Sequence, residues 1–279
     1  TPLYSSAASD VYKRQGEDNC LAVEVIGPGQ GPESTYSTKQ IEATTGWDDH
    51  NPYPPDMNMG IWQDVYISAT GPVRMRHPHV MSDLDLPRLD LAHLTVSVEA
   101  TNTTDKEVSA RIEGRIEKVT FSQAVALSPG ETKLVRFSPE AFPELNISRP
   151  RLWWPNPVGA QELYALELAA TVGGRISDTL KLRFGVREAT SHINSEGWRV
   201  YMVNGKKVLI RGAAWMTCDM LLRLSHERYR ALIRYAKEAG FNMLRSEGFS
   251  IRETEDFYNL CDEYGIMVTQ QIFGRSIPD

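Results

Sequence analysis

Apolar and polar positions follow two different rhythms along this chain, and the change falls near residue 190. Between residues 73 and 188 the segments LTVSVEATN, VSARIEGRI, QAVALSPGETKLVRF, LYALELAATVGG and DTLKLRFGV alternate with period two, as half-buried strands do. Pro129 with Gly130, and Gly173 with Gly174, supply tight turns between them. About seven short strands in roughly 115 residues predict an immunoglobulin-like β-sandwich over residues 73–188.

Residues 205–273 read instead as strand, helix, strand, helix, strand, with GKKVLIRGAAW, FNMLRSEGF and IMVTQQIF as the strands. Ser225 can cap the first helix, with Glu227 in its first turn, Tyr229, Leu232, Ile233 and Ala236 on one face, and Gly240 closing it. Thr254 can cap the second, followed by Glu255 and Asp256, a stripe of Phe257, Leu260, Cys261 and Tyr264, and Gly265 as terminator. This order predicts a parallel sheet with crossover helices. A dinucleotide-binding sheet would carry G-x-G-x-x-G after its first strand, whereas RGAAWMTCD has a single glycine, so residues 189–279 read as the first part of a (β/α)8 TIM barrel. A whole barrel takes roughly 250 residues, so the segment reads as about three of eight strands and the chain as a fragment. Barrel chemistry gathers at the C-terminal ends of the strands, which predicts Trp215, Asp219, Arg245 and Glu247 at one mouth.

Upstream, residues 21–26 alternate before the loop GPGQGPE, and GIWQDVYISATGP alternates again, with Ile61, Gln63, Val65 and Ile67 on one face. Residues 16–72 are therefore expected to close a further β domain. Residues 1–15 have neither period nor signal-peptide core, and SSAASDVYKRQ resembles a translated adapter remnant, so they are expected to stand outside the fold.

Composition narrows the classes without changing this picture. A chain of 279 residues with 41% hydrophobic and 24% charged content is ordinary for a soluble protein. No apolar run approaches the roughly 18 residues of a membrane span, so no membrane partner is expected. A net charge of −6 without a basic cluster argues against nucleic acid. Three cysteines, Cys20, Cys218 and Cys261, lack C-x-x-C spacing, so neither a disulfide framework nor a zinc site is indicated, and Cys261 is expected in the core. Asn102 and Asn146 open N-x-[ST] glycosylation patterns. In RLWWPNPVGAQELY, Trp153 and Trp154 are expected to bury large area at a domain junction, with a sugar-stacking platform as the alternative.

GIWQDVYI, PRLWWPNPVGAQELY, FGVRE, VNGKKVLIRGAAW, GFNMLRSEG and EDFYNLCDEYGI, in this order from about residue 47 to about residue 265, resemble glycoside hydrolase family 2. SDLDLP, LWWPN and RSEG are most similar to its exo-β-D-glucosaminidase, β-mannosidase and mannosylglycoprotein endo-β-mannosidase branch. The resemblance implies a jelly-roll sandwich (residues 16–72 being its C-terminal part), an immunoglobulin-like sandwich and a catalytic (β/α)8 barrel. It implies retaining hydrolysis by two carboxyl groups and a carbohydrate substrate; no cofactor or metal is expected. The family places its acid/base after barrel strand 4 and its nucleophile near strand 7, so no catalytic residue is expected among these 279. Asp219 and Glu247 match strand-end carboxylates that the glucosaminidase branch uses to grip sugar substituents. Two anions there would suit the ammonium of a glucosaminide and would also accept hydroxyls of a mannoside. A carbohydrate-binding sandwich without catalysis is the alternative function.

Overall fold

The computed structural model describes residues 23–24, 61, 63–66, 68–216, 223–246 and 253–270. Its first half is built from β1 (Val73–Leu84), β2 (Leu91–Asn102), β3 (Val108–Ile116), β4 (Val119–Leu127), β5 (Thr132–Phe137), a 3-10 turn at Pro143–Leu145, β6 (Asn146–Ser148), β7 (Tyr164–Val172) and β8 (Arg175–Phe184). β1, β2 and β5 form one sheet, with β6 also paired to β2; β4, β3, β7 and β8 form another, in that order. Period-two alternation does the work in both. β2 buries Ala92, Leu94, Val96, Val98 and Ala100, while β7 buries Tyr164, Leu166, Leu168 and Ala170. These inward faces meet in one apolar core.

The sheets are also stitched along an edge. The Ser177 hydroxyl accepts from Val73 N at 2.8 Å and donates to Val73 O at 2.8 Å, and Met75 N donates to Asp178 Oδ2 at 2.7 Å. Between β3 and β4, Gly114 leaves room that the Phe121 ring fills; a Cβ there would collide with that ring. Phe121 in turn packs on Phe137 at 4.8 Å.

Both predicted turns form. Glu131 N donates to Ser128 O at 3.0 Å around Pro129–Gly130, and Gly173 and Gly174 take φ of 57° and 77° between β7 and β8. β1 is an element that alternation did not reveal. Pro78 interrupts its run, and the pairing with β2 shifts between Arg76 and His79, where His77 takes a φ of 52°. The predicted strand in GIWQDVYISATGP is a correction. Its described residues belong to no strand, and Ile61, Val65 and Tyr66 are exposed, because no described strand offers them a ladder partner. Both glycosylation patterns are committed to the fold. Asn102 Nδ2 donates to the carbonyls of Lys106, Leu127 and Ser128, and Asn146 Nδ2 to those of Pro139 and Pro143.

The second half opens with an antiparallel meander of β9 (Ala189–Ile193), β10 (Arg199–Val203) and β11 (Lys206–Val208). It continues through β12 (Gly212–Trp215), α1 (His226–Glu238), β13 (Met243–Ser246), α2 (Glu255–Tyr264) and β14 (Met267–Gln270), with β12, β13 and β14 parallel and adjacent in that order. GKKVLIRGAAW is thus two elements, which corrects the single predicted strand. Asn204 and Gly205, at φ of 50° and 73°, turn the chain into the β10–β11 hairpin. Asn242 then pins the crossing: Arg211 N donates to its Oδ1 at 2.9 Å and its Nδ2 donates to Leu209 O at 2.9 Å. Gly212 lets β12 approach β13 so closely that a Cβ would strike the Met243 carbonyl.

Ser225 caps α1, accepting from Arg228 N at 3.3 Å, and Gly265 ends α2 at φ 78°. Thr254 holds the cap position of α2 with extended backbone, yet its hydroxyl makes no cap bond and has no partner among the described residues. Tyr229, Ile233, Phe257 and Leu260 bury the facing sides of both helices on the sheet. None of the described helices is long and apolar enough to cross a membrane.

The loop between β6 and β7 joins the two halves. A helix leaves its last carbonyls without intrahelical donors, and this loop supplies donors to both helices. Asn156 Nδ2 donates to Lys237 O at 3.0 Å and Phe241 O at 2.9 Å, Asn156 N to Gly265 O at 2.9 Å, and Trp153 Nε1 to Asp262 O at 2.7 Å. Trp153 is fully buried beneath the Arg187 guanidinium, which lies 4.9 Å from its ring centre. The junction reading of Trp153 holds, and this ring offers no platform for a sugar. Trp154, partly exposed, is covered by Lys206 Nζ at 4.8 Å.

Candidate functional site

The parallel register decides which strand-end side chains can meet. Ala214 pairs with Arg245 and Arg245 with Thr269, while Trp215 pairs with Ser246 and Ser246 with Gln270. Paired residues share a face. Leu244, two positions before Ser246, packs among the helices, so Trp215, Ser246 and Gln270 lie on the helix side. Arg245 and Thr269 lie on the opposite, exposed face.

Trp215 is therefore corrected from a mouth residue to a core residue. Its ring packs 4.8 Å from Phe257 and 6.4 Å from Tyr229, centre to centre, and it is 9% exposed. Arg245, next to last in β13, is exposed on the face away from the helices. Asp219 and Glu247 lie outside the described residues.

Glu253 is the functional candidate that sequence reasoning passed over. It is 4% exposed, yet it is a carboxylate directly before the α2 cap. Its Oε1 accepts from Trp215 Nε1 at 2.7 Å, and its Oε2 accepts from the Tyr229 hydroxyl. An acidic residue at a helix entrance reads as solvated dipole partner, so the sequence carried no signal of burial.

Other chemistry-bearing residues are quiet. Burial pushes the Cys261 thiol well above its ordinary range, with Asp262 adding to the effect. Burial also raises Asp262, against the pull of Arg187 and Arg183. Among the described residues no group of three or more His, Cys, Asp or Glu could hold a metal ion.

Residues 73–187 match the model of glycosyl hydrolases family 2. The exo-β-D-glucosaminidase of Streptomyces avermitilis is 42% identical over 224 residues, 80% of this chain and 24% of that protein. Over residues 73–187 the chain is thus similar to glycosyl hydrolases family 2. It is also 33% identical to a mannosylglycoprotein endo-β-mannosidase of Lilium longiflorum, over 99% of this chain and 31% of that one. Among solved structures it is similar to the exo-chitosanase of Amycolatopsis orientalis, with a TM-score of 0.71 at 34% identity, covering 80% of this chain and 25% of that one. The β-D-mannosidase of Dictyoglomus thermophilum gives 0.67 at 30% identity, covering 86% and 29%. The chain thus spans about a quarter of the length of the exo-β-D-glucosaminidases it matches.

Proposed function

We propose that this chain is part of a retaining β-glycosidase that hydrolyses terminal β-D-glucosaminides of the chitosan type. The observation that carries the reading is the 42% identity to an exo-β-D-glucosaminidase, which spans 80% of this chain. In this reading β1 to β8 form the immunoglobulin-like sandwich, residues 16–72 belong to a jelly-roll sandwich, and residues 189–279 begin the (β/α)8 barrel. The consecutive order of β12, β13 and β14 supports the barrel, as do the two helices on one face of that sheet.

Arg245, with Glu247 two residues on, and Asp219 from the segment after β12 form the start of the sugar subsite in this reading. The two carboxylates draw the ammonium on C2 of glucosamine toward the mouth, and the same groups can accept hydroxyls of a mannoside. Hydrolysis itself is assigned to a carboxyl pair elsewhere in the barrel. One protonates the leaving oxygen as the other, roughly 5 to 5.5 Å away, attacks the anomeric carbon; water then releases the sugar from the glycosyl-enzyme. The 279-residue chain by itself is accordingly expected to be inactive.

β-Mannoside hydrolysis is the second reading, favoured by the 33% identity to the lily endo-β-mannosidase along 99% of the chain. Initial rates on p-nitrophenyl β-D-glucosaminide and β-mannoside, measured for the gene product that contains this chain, separate the two. Faster release from the glucosaminide supports the first reading, and faster release from the mannoside the second. Release from neither contradicts both.

A further inference from the structure

Glu253 ties together three pieces of backbone that sit apart in sequence. Trp215 is the last residue of β12, Tyr229 lies in the first turns of α1, and Glu253 itself precedes the cap of α2. Each carboxylate oxygen takes one donor from a different element. An indole N–H can only donate, so Oε1 is fixed as its acceptor. A buried carboxylate held by neutral donors is a costly way to fill space. An apolar residue of like size would serve packing alone.

The position of this clamp is what gives it meaning. β12 and β13 release their chains at the C-terminal face of the sheet, where Arg245 stands exposed, and α1 and α2 begin at that same end. The Thr254 hydroxyl, which would normally anchor the start of α2, makes no cap bond. Glu253 replaces that anchor and couples it to the end of β12. His226 Nδ1 and Asp256 Oδ1, 3.3 Å apart at the surface, link the same two helix starts from outside.

We propose that Glu253 is a positioning residue for the sugar-binding mouth, holding the end of β12 and the starts of α1 and α2 in the spacing that the substrate requires. The proposal rests on the glycosidase reading above. Glu253 acts through Trp215 and Tyr229 and does not touch the sugar.

The test uses the gene product containing this chain and p-nitrophenyl β-D-glucosaminide or β-mannoside, whichever the wild type hydrolyses. Tyr229→Phe removes one donor with little change of shape, Trp215→Phe removes the other together with part of the indole, and Glu253→Gln keeps the shape while replacing the carboxyl by an amide. The expected result for the two donor variants is a KM about tenfold higher with kcat changed less than about twofold. Glu253→Gln, which can still accept from Trp215, is expected to keep KM within about threefold of wild type. Unchanged KM in all three variants alongside a lowered Tm would make Glu253 a structural residue only and overturn the proposal. An equal loss in kcat and kcat/KM at constant KM would assign it to the chemistry and also overturn it. A wild type that hydrolyses neither glycoside removes the glycosidase reading, and the proposal with it.

Discussion

The indole N–H of Trp153 donates to the carbonyl of Asp262 at 2.7 Å, so a side chain from the β-sheet half ends in the last turn of α2. Asn156, three residues on, meets the end of α1 in the same way. The WWPN loop is a shared C-terminal cap for two helices of the other half. Trp153→Phe removes one such bond while keeping most of the ring, and Asn156→Ala removes two. Each is expected to lower stability by about 1–3 kcal/mol in urea denaturation. A midpoint unchanged in both variants would show that the helices need no donor from this loop.

Gly114 and Gly212 are glycines for reasons of space. Gly114→Ala pushes a methyl into the Phe121 ring, and Gly212→Ala pushes one onto the Met243 carbonyl. A ring can shift slightly, whereas a paired backbone cannot. Gly212→Ala is therefore expected to destabilise more than Gly114→Ala, the latter by about 1–3 kcal/mol. The order of the two urea midpoints checks this, and the reverse order would contradict it.

His93 sits with both ring nitrogens on acceptors. Nδ1 meets Asn146 Oδ1 at 2.5 Å, an oxygen fixed there because the Asn146 amide nitrogen donates to Pro139 and Pro143, and Nε2 meets Asp85 Oδ1 at 3.3 Å. The Asn146 bond first, then Asp85, holds the imidazole above its ordinary pKa of 6.5. A raised folded pKa gives stability that is full below the ordinary value and lost as pH rises through the folded one. His93→Gln is thus expected to lower Tm more at about pH 5.5 than at about pH 8.5. An NMR titration midpoint at or below the ordinary value would contradict it.

Cys261 is buried and its thiol is pushed far up, so the thiolate is scarce at neutral pH. With Cys20→Ser and Cys218→Ser in place, no thiol is expected to react with an aromatic disulfide reagent until denaturant is added. Rapid reaction under native conditions would overturn the placement.

The strands were legible where alternation ran unbroken, as in β2, β3 and β7, and the turns where glycine chemistry demanded them. β1 was hidden by Pro78 and its bulge, and the three-residue β6 was too short to show a period. The helix starts were legible too, although only Ser225 uses its side chain as a cap. The site was harder because it depends on parity. Trp215 ends β12, whereas Arg245 stands one residue before the end of β13 and pairs with Ala214, and that offset sends Trp215 to the other face. Glu253 gave no sign of itself, since burial of a carboxylate comes from Trp215 and Tyr229, which lie 38 and 24 residues away.

At the candidate mouth, Glu247→Gln is expected to raise the KM of the gene product for a β-D-glucosaminide about tenfold, through loss of one anion facing the ammonium. Asp219→Asn is expected to act in the same direction. Equal KM values for wild type and both variants would remove these carboxylates from the subsite.

The most direct test of the family 2 glycosidase account is the anomeric form of the first product. Proton NMR of β-D-glucosaminide hydrolysis by the gene product containing this chain should show the β-anomer before mutarotation, as a retaining carboxyl pair requires. Initial release of the α-anomer, or no release of sugar at all, would contradict it.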